Sequence, residues 1–291
     1  MERELWSALY KVARACDPSP FWELVRFRDY EIVGVFLWAV LHDRPVSWAC
    51  DWINWPKGLW TTKLPSQSTM SRRLRTTEVQ YLLGRMEGHY AALERPGFVL
   101  LVDGKPMVVG THSKDRDSRW GKAGRGYAKG YKLHVIFGRG PVPLAWDVAP
   151  LNVSEPEVAV RNISLLEGGG GYLLGDKAFD SNPLHDVASY CGYQLVAERK
   201  RPKSGLGHRR HSPSRLRSID LLRTQFGQSL YDCRDDVERK LGWLTNHSAG
   251  LAPLPAWVRR CHRVRLWVQG KMLAHAAYVY STSPSSLIAA A

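Results

Sequence analysis

From residue 98 onward the chain alternates short apolar runs with amphipathic stretches, and this alternation restricts the fold more than any other feature. Phe98 to Val102 is a five-residue apolar run, the pattern of a buried strand. Val108 and Val109 extend it or begin its return. Residues 111–130 are polar and glycine-rich and predict a loop. Tyr131 to Phe137 and Val142 to Val148 predict a second and third strand, joined by the turn GRGP. Ser154 is placed to cap a helix that carries Glu155 and Glu157 in its first turn and stops at glycines 168–171. Tyr172 to Leu174 predicts a strand ending at Gly175-Asp176. Asn182-Pro183 opens a helix that Gly192 ends, and Tyr193 to Ala197 is a fifth strand. A long helix is expected over residues 218–244. The order β-β-β-α-β-α-β-α describes an α/β fold with a mixed sheet, a three-strand meander followed by parallel additions through helical crossovers.

Residues 1–95 read as a small all-α domain. Asp29 is expected to cap a helix supported by Glu31, Ser47 a second reaching Trp52, and Ser66 a third running toward Tyr90. Seven of the twelve tryptophans fall in the first 60 residues and are expected to build its core. The expected division is 1–95 helical, 96–250 the α/β core, and 251–291 a basic C-terminal helix and loose tail. The longest apolar stretch, Ile32 to Leu41, is half of the ~20 residues a membrane helix requires. The N-terminus has no signal-peptide pattern. Five scattered cysteines without a Cys-x-x-Cys pair suggest neither a zinc site nor a disulfide framework, and a cytoplasmic protein is expected.

Charge narrows the partners. Lys plus Arg number 41 against 27 Asp plus Glu, a formal charge of +14. A polyanion is expected, nucleic acid ahead of an anionic membrane surface. Residues 199–217 contain eight Lys or Arg and no acid, and residues 239–291 contain seven and again no acid. Arg209 and Arg210, at the centre of the first run, are predicted phosphate contacts. The last helix, expected around residues 257–275, interleaves Arg259, Arg260, Arg263 and Arg265 with apolar residues. The helix after Ser66 carries Arg72, Arg73 and Arg75, and its N-terminal amides with Ser68 suit phosphate.

Three acids stand at chemically useful places. Asp103 follows the first strand, Asp176 follows the fourth, and Glu238 lies in the long helix. Singly, each has an ordinary explanation as a turn, a cap or a solvated helix face. Together they describe carboxylates able to hold two divalent cations about 3.5–4 Å apart for phosphoryl transfer. Oxygen ligands suit Mg²⁺ or Mn²⁺ and not Zn²⁺.

The pieces LVDGK, GYKLH, GDKAFDS and Tyr231-x2-Arg234-x3-Glu238 resemble the DDE transposases of bacterial insertion sequences, in the group carrying a Tyr-x2-Arg-x3-Glu-x6-Lys signature. LPSQSTMSRRLR, residues 64–75, resembles a stretch N-terminal to their core. The acids are spaced by 73 and then 62 residues. The resemblance covers about residues 64–245. It implies a ribonuclease H-like sheet and cut-and-paste DNA transposition: binding element ends, cleaving a phosphodiester, and joining the 3′-hydroxyl to target DNA. It implies Asp103, Asp176 and Glu238 as ligands of two Mg²⁺ or Mn²⁺ ions. Arg234 would hold a DNA phosphate, and Tyr231 would touch backbone near the cut. Lys132 and Lys177 are candidate phosphate contacts. Asp180 is read as a helix-start turn or a support for the Asp176 loop. A homodimer on double-stranded DNA, in the bacterial cytoplasm at the nucleoid, follows by the same resemblance. The signature lysine position holds Thr245, with Arg239 and Lys240 nearby. Two other functions stay open at this stage: a non-catalytic DNA-binding descendant of a transposase, and a nuclease that cuts without joining.

Overall fold

The computed structural model describes residues 1–18, 26–94, 97–166, 169–208, 210–247, 250–251 and 253–282. The chain forms two compact units. One comprises Met1–Leu93, Asn246–Trp257 and the residues from Leu266; the other comprises Glu94–Thr245 and Val258–Arg265.

In the first unit, α1 (Glu2–Cys16) buries Leu5, Trp6, Leu9, Ala13 and Cys16, one stripe at helical spacing. Helix α2 (Asp29–Leu41) is the apolar run, buried along nearly its whole length. Its cap position is Arg28, not Asp29 as expected: the Arg28 N–H donates to Glu31 Oε2 at 2.8 Å. Asp29 is the first helical residue and pairs with Arg73. Helix α3 (Val46–Ala49) is capped at Pro45 and ends before Trp52, so it starts and stops earlier than the helix expected from Ser47. Asp51 then caps a separate 3-10 turn, Trp52–Asn54. Ser66 caps α4 (Gln67–Arg73) as expected, accepting the Thr69 N–H at 3.2 Å. A break at Leu74–Thr76 makes α5 (Thr77–Ala91) a second helix. The core is built from indoles. Trp6 stacks on Tyr10 at 4.7 Å and meets Trp55 edge-on at 5.4 Å. Three buried indoles donate their N–H to a carbonyl: Trp6 to Gly34, Trp38 to Asn54, Trp55 to Ala49.

The second unit holds the sheet. Its strands are β1 (Val99–Val108), β2 (Arg119–Ala123), β3 (Gly126–Phe137), β4 (Pro143–Pro150), β5 (Gly171–Gly175) and β6 (Tyr193–Ala197). The order across the main sheet is β4-β3-β1-β5-β6, with β2 on the far end of β3. The meander is antiparallel, and β1, β5 and β6 are mutually parallel. This is the ribonuclease H-like arrangement expected. Helices α6 (Glu155–Ile163) and α7 (Asn182–Tyr190) provide the crossovers and bury Ala159, Ile163, Leu184 and Ala188 against Leu100, Val102, Leu173 and Leu195. The loop expected over 111–130 instead contains β2 and the first part of β3. The helix expected over 218–244 is three helices: α8 (Pro213–Leu221), α9 (Gln225–Asp232) and α10 (Asp236–Thr245). Thr224 caps α9 by accepting the Gly227 N–H at 3.0 Å, and a 3-10 turn, Cys233–Asp235, separates α9 from α10. The last helix, α11 (Cys261–Thr282), starts later and runs further than expected. Most of the expected tail lies outside the described residues.

The indole core supplies a contrast that tests this packing. Trp6 is 3% exposed and Trp52 is 49% exposed. Trp6→Ala should destabilise the protein by about 3–5 kcal/mol, whereas Trp52→Ala should change it by no more than about 0.5 kcal/mol. Urea unfolding of both variants measures the difference; similar midpoints would mean the aromatic cluster is not the core.

Candidate active site

The parallel register brings the aspartates together. Leu101 pairs with Leu174 across β1 and β5, so Asp103 and Asp176, each two residues further on, lie at the same level of neighbouring strands. Asp103 is inside β1 and not at its end, because β1 continues to Val108 paired with β3 alone. Side chains alternate along a strand, so Asp103 faces away from the layer that receives Leu100 and Val102. Its Oδ1 accepts the N–H of Gly104 at 2.7 Å. Asp176 Oδ1 accepts the Ala178 N–H at 2.7 Å, capping the 3-10 turn Lys177–Phe179.

Burial, helped by the charges of Asp176 and Glu155, pushes the Asp103 carboxyl up to about 6, while the Gly104 N–H and Arg234 oppose the shift. Two like charges at one sheet edge, one of them poorly hydrated, make a place that favours a cation.

Glu198 extends this row and escaped the sequence reading. Gly175 pairs with Ala197 across β5 and β6, so Glu198 is level with Asp176. The available signal was that it directly follows a predicted strand, as Asp176 does. Asp176, Glu198, Tyr231 and Arg234 line one cleft, together with Lys177 and the carboxylates of Asp232 and Asp235. Glu238 does not line it and is exposed on α10. Among the described residues, no three His, Cys, Asp or Glu side chains stand close enough to hold a metal ion. Asp103 and Asp176 offer the oxygen ligands a hard divalent cation takes, at one level of the sheet, and the third carboxylate is not brought to them here.

Several cations predicted to meet phosphate are engaged within the protein. Lys132 Nζ pairs with Glu155 at 2.6 Å, both largely buried. Arg73 is held by Asp29 and by the Phe27 carbonyl. Tyr231 donates its hydroxyl to the Gly175 carbonyl at 3.1 Å, which ties α9 to the residue before Asp176. Arg234 lies near Asp103 and lines the cleft. Lys177, Arg210 and Arg72 are exposed, and Arg209 lies outside the described residues. Lys240 does not replace the signature lysine: its buried ammonium donates to the carbonyls of Gly138 and Arg139. Thr245 Oγ1 donates back into its own helix, to Leu241 at 3.0 Å.

Asp180 supports the loop that carries Asp176. Arg215 grips both its oxygens at 2.5 and 2.8 Å, and the Lys200 N–H adds a bond at 3.1 Å. Burial raises the Asp180 carboxyl, but these partners outweigh it and hold it below the usual carboxylate range. Arg265 pairs with Asp147, and Arg260 with Asp117, so the basic start of α11 is partly neutralised within its own unit.

No helix among the described residues is long and apolar enough to cross a membrane. No curated protein matches the chain. The chain is similar to one in the cryo-EM structure of the piggyBac transposase synaptic complex with hairpin DNA, at 9% identity over 95% of this chain and 72% of that chain, with a TM-score of 0.44. A likeness so distant has no bearing on activity. Residues 95–260 match the model of the transposase DDE domain. That match spans more than half of the chain and contains the whole sheet, both aspartates and helices α9 and α10 with Tyr231 and Glu238, and the chain belongs to the DDE transposase family.

Proposed function

We propose that this transposase binds the ends of a mobile element of bacterial insertion-sequence type, cleaves a phosphodiester to free a 3′-hydroxyl, and joins that hydroxyl to target DNA. Asp103, Asp176 and Glu238 are its proposed ligands for two Mg²⁺ or Mn²⁺ ions, and two copies pair the element ends. The observation that carries this reading is the placement of Asp103 and Asp176 side by side at an electrostatic cost. Such ions, when bound, activate the attacking oxygen and stabilise the leaving one. The chain's own residues shape the rest. Arg234 offers a planar fork to a phosphate at the cleft. Lys177 adds charge at its mouth, and Tyr231 and Asp180 hold the β5 end in place.

A second reading is a weakened or non-catalytic DNA-binding protein. Two observations favour it: Glu238 stands outside the cleft, and Thr245 carries no charge where the signature has a lysine.

Single alanine variants of Asp103 and Asp176 should abolish Mg²⁺-dependent cleavage of element-end DNA while leaving DNA affinity within about twofold. Glu238→Gln should do the same, and Glu198→Gln should cleave at close to the wild-type rate. The opposite result for the two glutamates would transfer the third ligand role to Glu198. Wild-type protein that binds but never cleaves would establish the second reading.

The electrostatic cost at Asp103 is measurable without DNA. Its carboxyl holds a proton up to about pH 6 in the folded chain, against about 4 when unfolded. The folded state therefore binds more protons in that window, and stability falls as pH rises through it. About two pH units correspond to roughly 3 kcal/mol lost once Asp103 is fully ionised. Without divalent ions, Asp103→Asn should raise Tm near pH 7 and leave it unchanged near pH 4. Equal shifts at both pH values would show that the carboxylate carries no such cost.

The basic run should act on backbone and not on bases. Arg209→Ala combined with Arg210→Ala should weaken binding to all duplex sequences alike and reduce the slope of log K against log salt by about 1–2 units. A sequence-dependent loss would instead point to contacts with base edges.

A further inference from the structure

The segment between β1 and the sheet-forming part of β3 is a two-faced hairpin. We propose that its outer face is a stacking platform for unpaired nucleotides of the DNA substrate. The proposal rests on the transposase reading and adds to it a site, and the form of DNA that site takes.

The register fixes which residues share a face. Trp120 pairs with Lys129 and Lys122 with Tyr127, while Gly121 pairs with Ala128 and Ala123 with Gly126. Cross-strand partners lie on the same side of a sheet, and the side alternates along each strand. One face is therefore Trp120, Lys122, Tyr127 and Lys129. The other carries Gly121, Ala123, Gly126, Ala128 and Gly130, with Arg119 at its end. That small face lies against backbone: a Cβ at Gly121 would sit 2.2 Å from the Leu151 carbonyl oxygen, and one at Gly130 would sit 2.3 Å from that of Met107. The small residues let the hairpin lie close to the segment after β4. This fixes the aromatic face outward, where Trp120 is 54% and Tyr127 is 79% exposed.

Charge selects the partner. Residues 111–130 carry Lys114, Arg116, Arg119, Lys122, Arg125 and Lys129. The two acids of the segment are turned to internal bonds. Asp115 accepts the Tyr131 hydroxyl at 2.7 Å and the Arg260 N–H at 3.1 Å, and Asp117 accepts the Cys261 N–H at 2.9 Å. Beside Trp120 a concave surface is lined by Lys114, Arg116, Arg119 and Lys129. Exposed rings among cations match a polyanion that also presents flat apolar faces. Bases present those faces only where they are unpaired. The two rings are diagonal neighbours, a spacing of about 7–8 Å, which lets each take its own base while the exposed Lys122 meets phosphate; Lys129 Nζ is held by the Ser113 carbonyl at 2.7 Å.

The test uses the full chain and fluorescence anisotropy on two DNAs of one sequence. These are a single strand of about 16 nucleotides, the upper end of the usual site size, and its duplex. 2-Aminopurine in the single strand reports stacking. Trp120→Ala with Tyr127→Ala should weaken single-strand binding by about 5- to 150-fold per ring and abolish 2-aminopurine quenching. Duplex binding should change by less than about twofold. Trp120→Phe with Tyr127→Phe should retain most of the single-strand affinity, because it keeps both rings. Lys122→Ala with Arg125→Ala should weaken both forms and reduce the single-strand salt slope by about 1.4 units. Unchanged single-strand affinity in the double-alanine variant, with a wild-type circular dichroism spectrum, overturns the platform. So does an equal loss on duplex, which would make the hairpin a groove contact. In either case wild-type duplex binding remains, so the transposase reading stands. Wild-type protein that binds neither DNA overturns both.

Discussion

The parallel pairing of β1, β5 and β6 is the constraint from which the site follows. Strands in register put equivalent positions side by side at a spacing of about 4.8 Å. Because Leu101 is opposite Leu174 and Gly175 opposite Ala197, Asp103, Asp176 and Glu198 are carried to the same level. A slip of one residue on any strand would turn its acid to the opposite face of the sheet. Register here is held by burial: Leu100, Val102, Leu173 and Leu195 all enter the layer under α6 and α7. The apolar core thus places the charges.

Around that edge the protein uses much of its excess positive charge on its own architecture. Arg215 clamps Asp180, Lys132 pairs with Glu155, Lys240 ties α10 to the carbonyls that follow β3, and Arg265 holds Asp147. Lys132 and Lys240, both buried, sit with an acid or with carbonyls, as a dehydrated charge must, whereas the Arg265 side chain is 54% exposed at its pair. Other cations stay exposed: Lys177 at the cleft, Arg210 in the basic run, Arg72 on α4, and Lys122 on the β2–β3 hairpin. Net charge alone does not separate the two classes. Burial and partners do.

The same sorting applies to the aromatic residues. In the helical unit Trp6, Trp38 and Trp55 are buried and donate their N–H groups to carbonyls. On the hairpin, Trp120 and Tyr127 stand exposed among cations. One residue type builds a core in the first place and a surface in the second, and the difference lies in what the opposite face of each element can press against.

Sequence by itself determined the elements with strong patterns. β6 falls where its apolar run predicted, α7 starts at Asn182-Pro183, and Ser66 caps α4. Local rules suffice there, because hydrophobic period and cap chemistry act within a few residues. The family was legible too, in Asp103, Asp176 and the Tyr231–Arg234–Glu238 spacing. The hairpin was not, because its strands alternate charged or aromatic residues with glycine and alanine, and the small face is explained only by the backbone of residues 151 and 152 lying against it. The breaks at Leu222–Thr224 and Cys233–Asp235 were hidden in a continuous helical pattern. Glu198 joined the acid row only through pairing with a strand 22 residues earlier in register. Only the tertiary structure decided which cations are engaged and which face outward, because a salt bridge such as Asp180–Arg215 joins residues 35 apart that no local pattern relates.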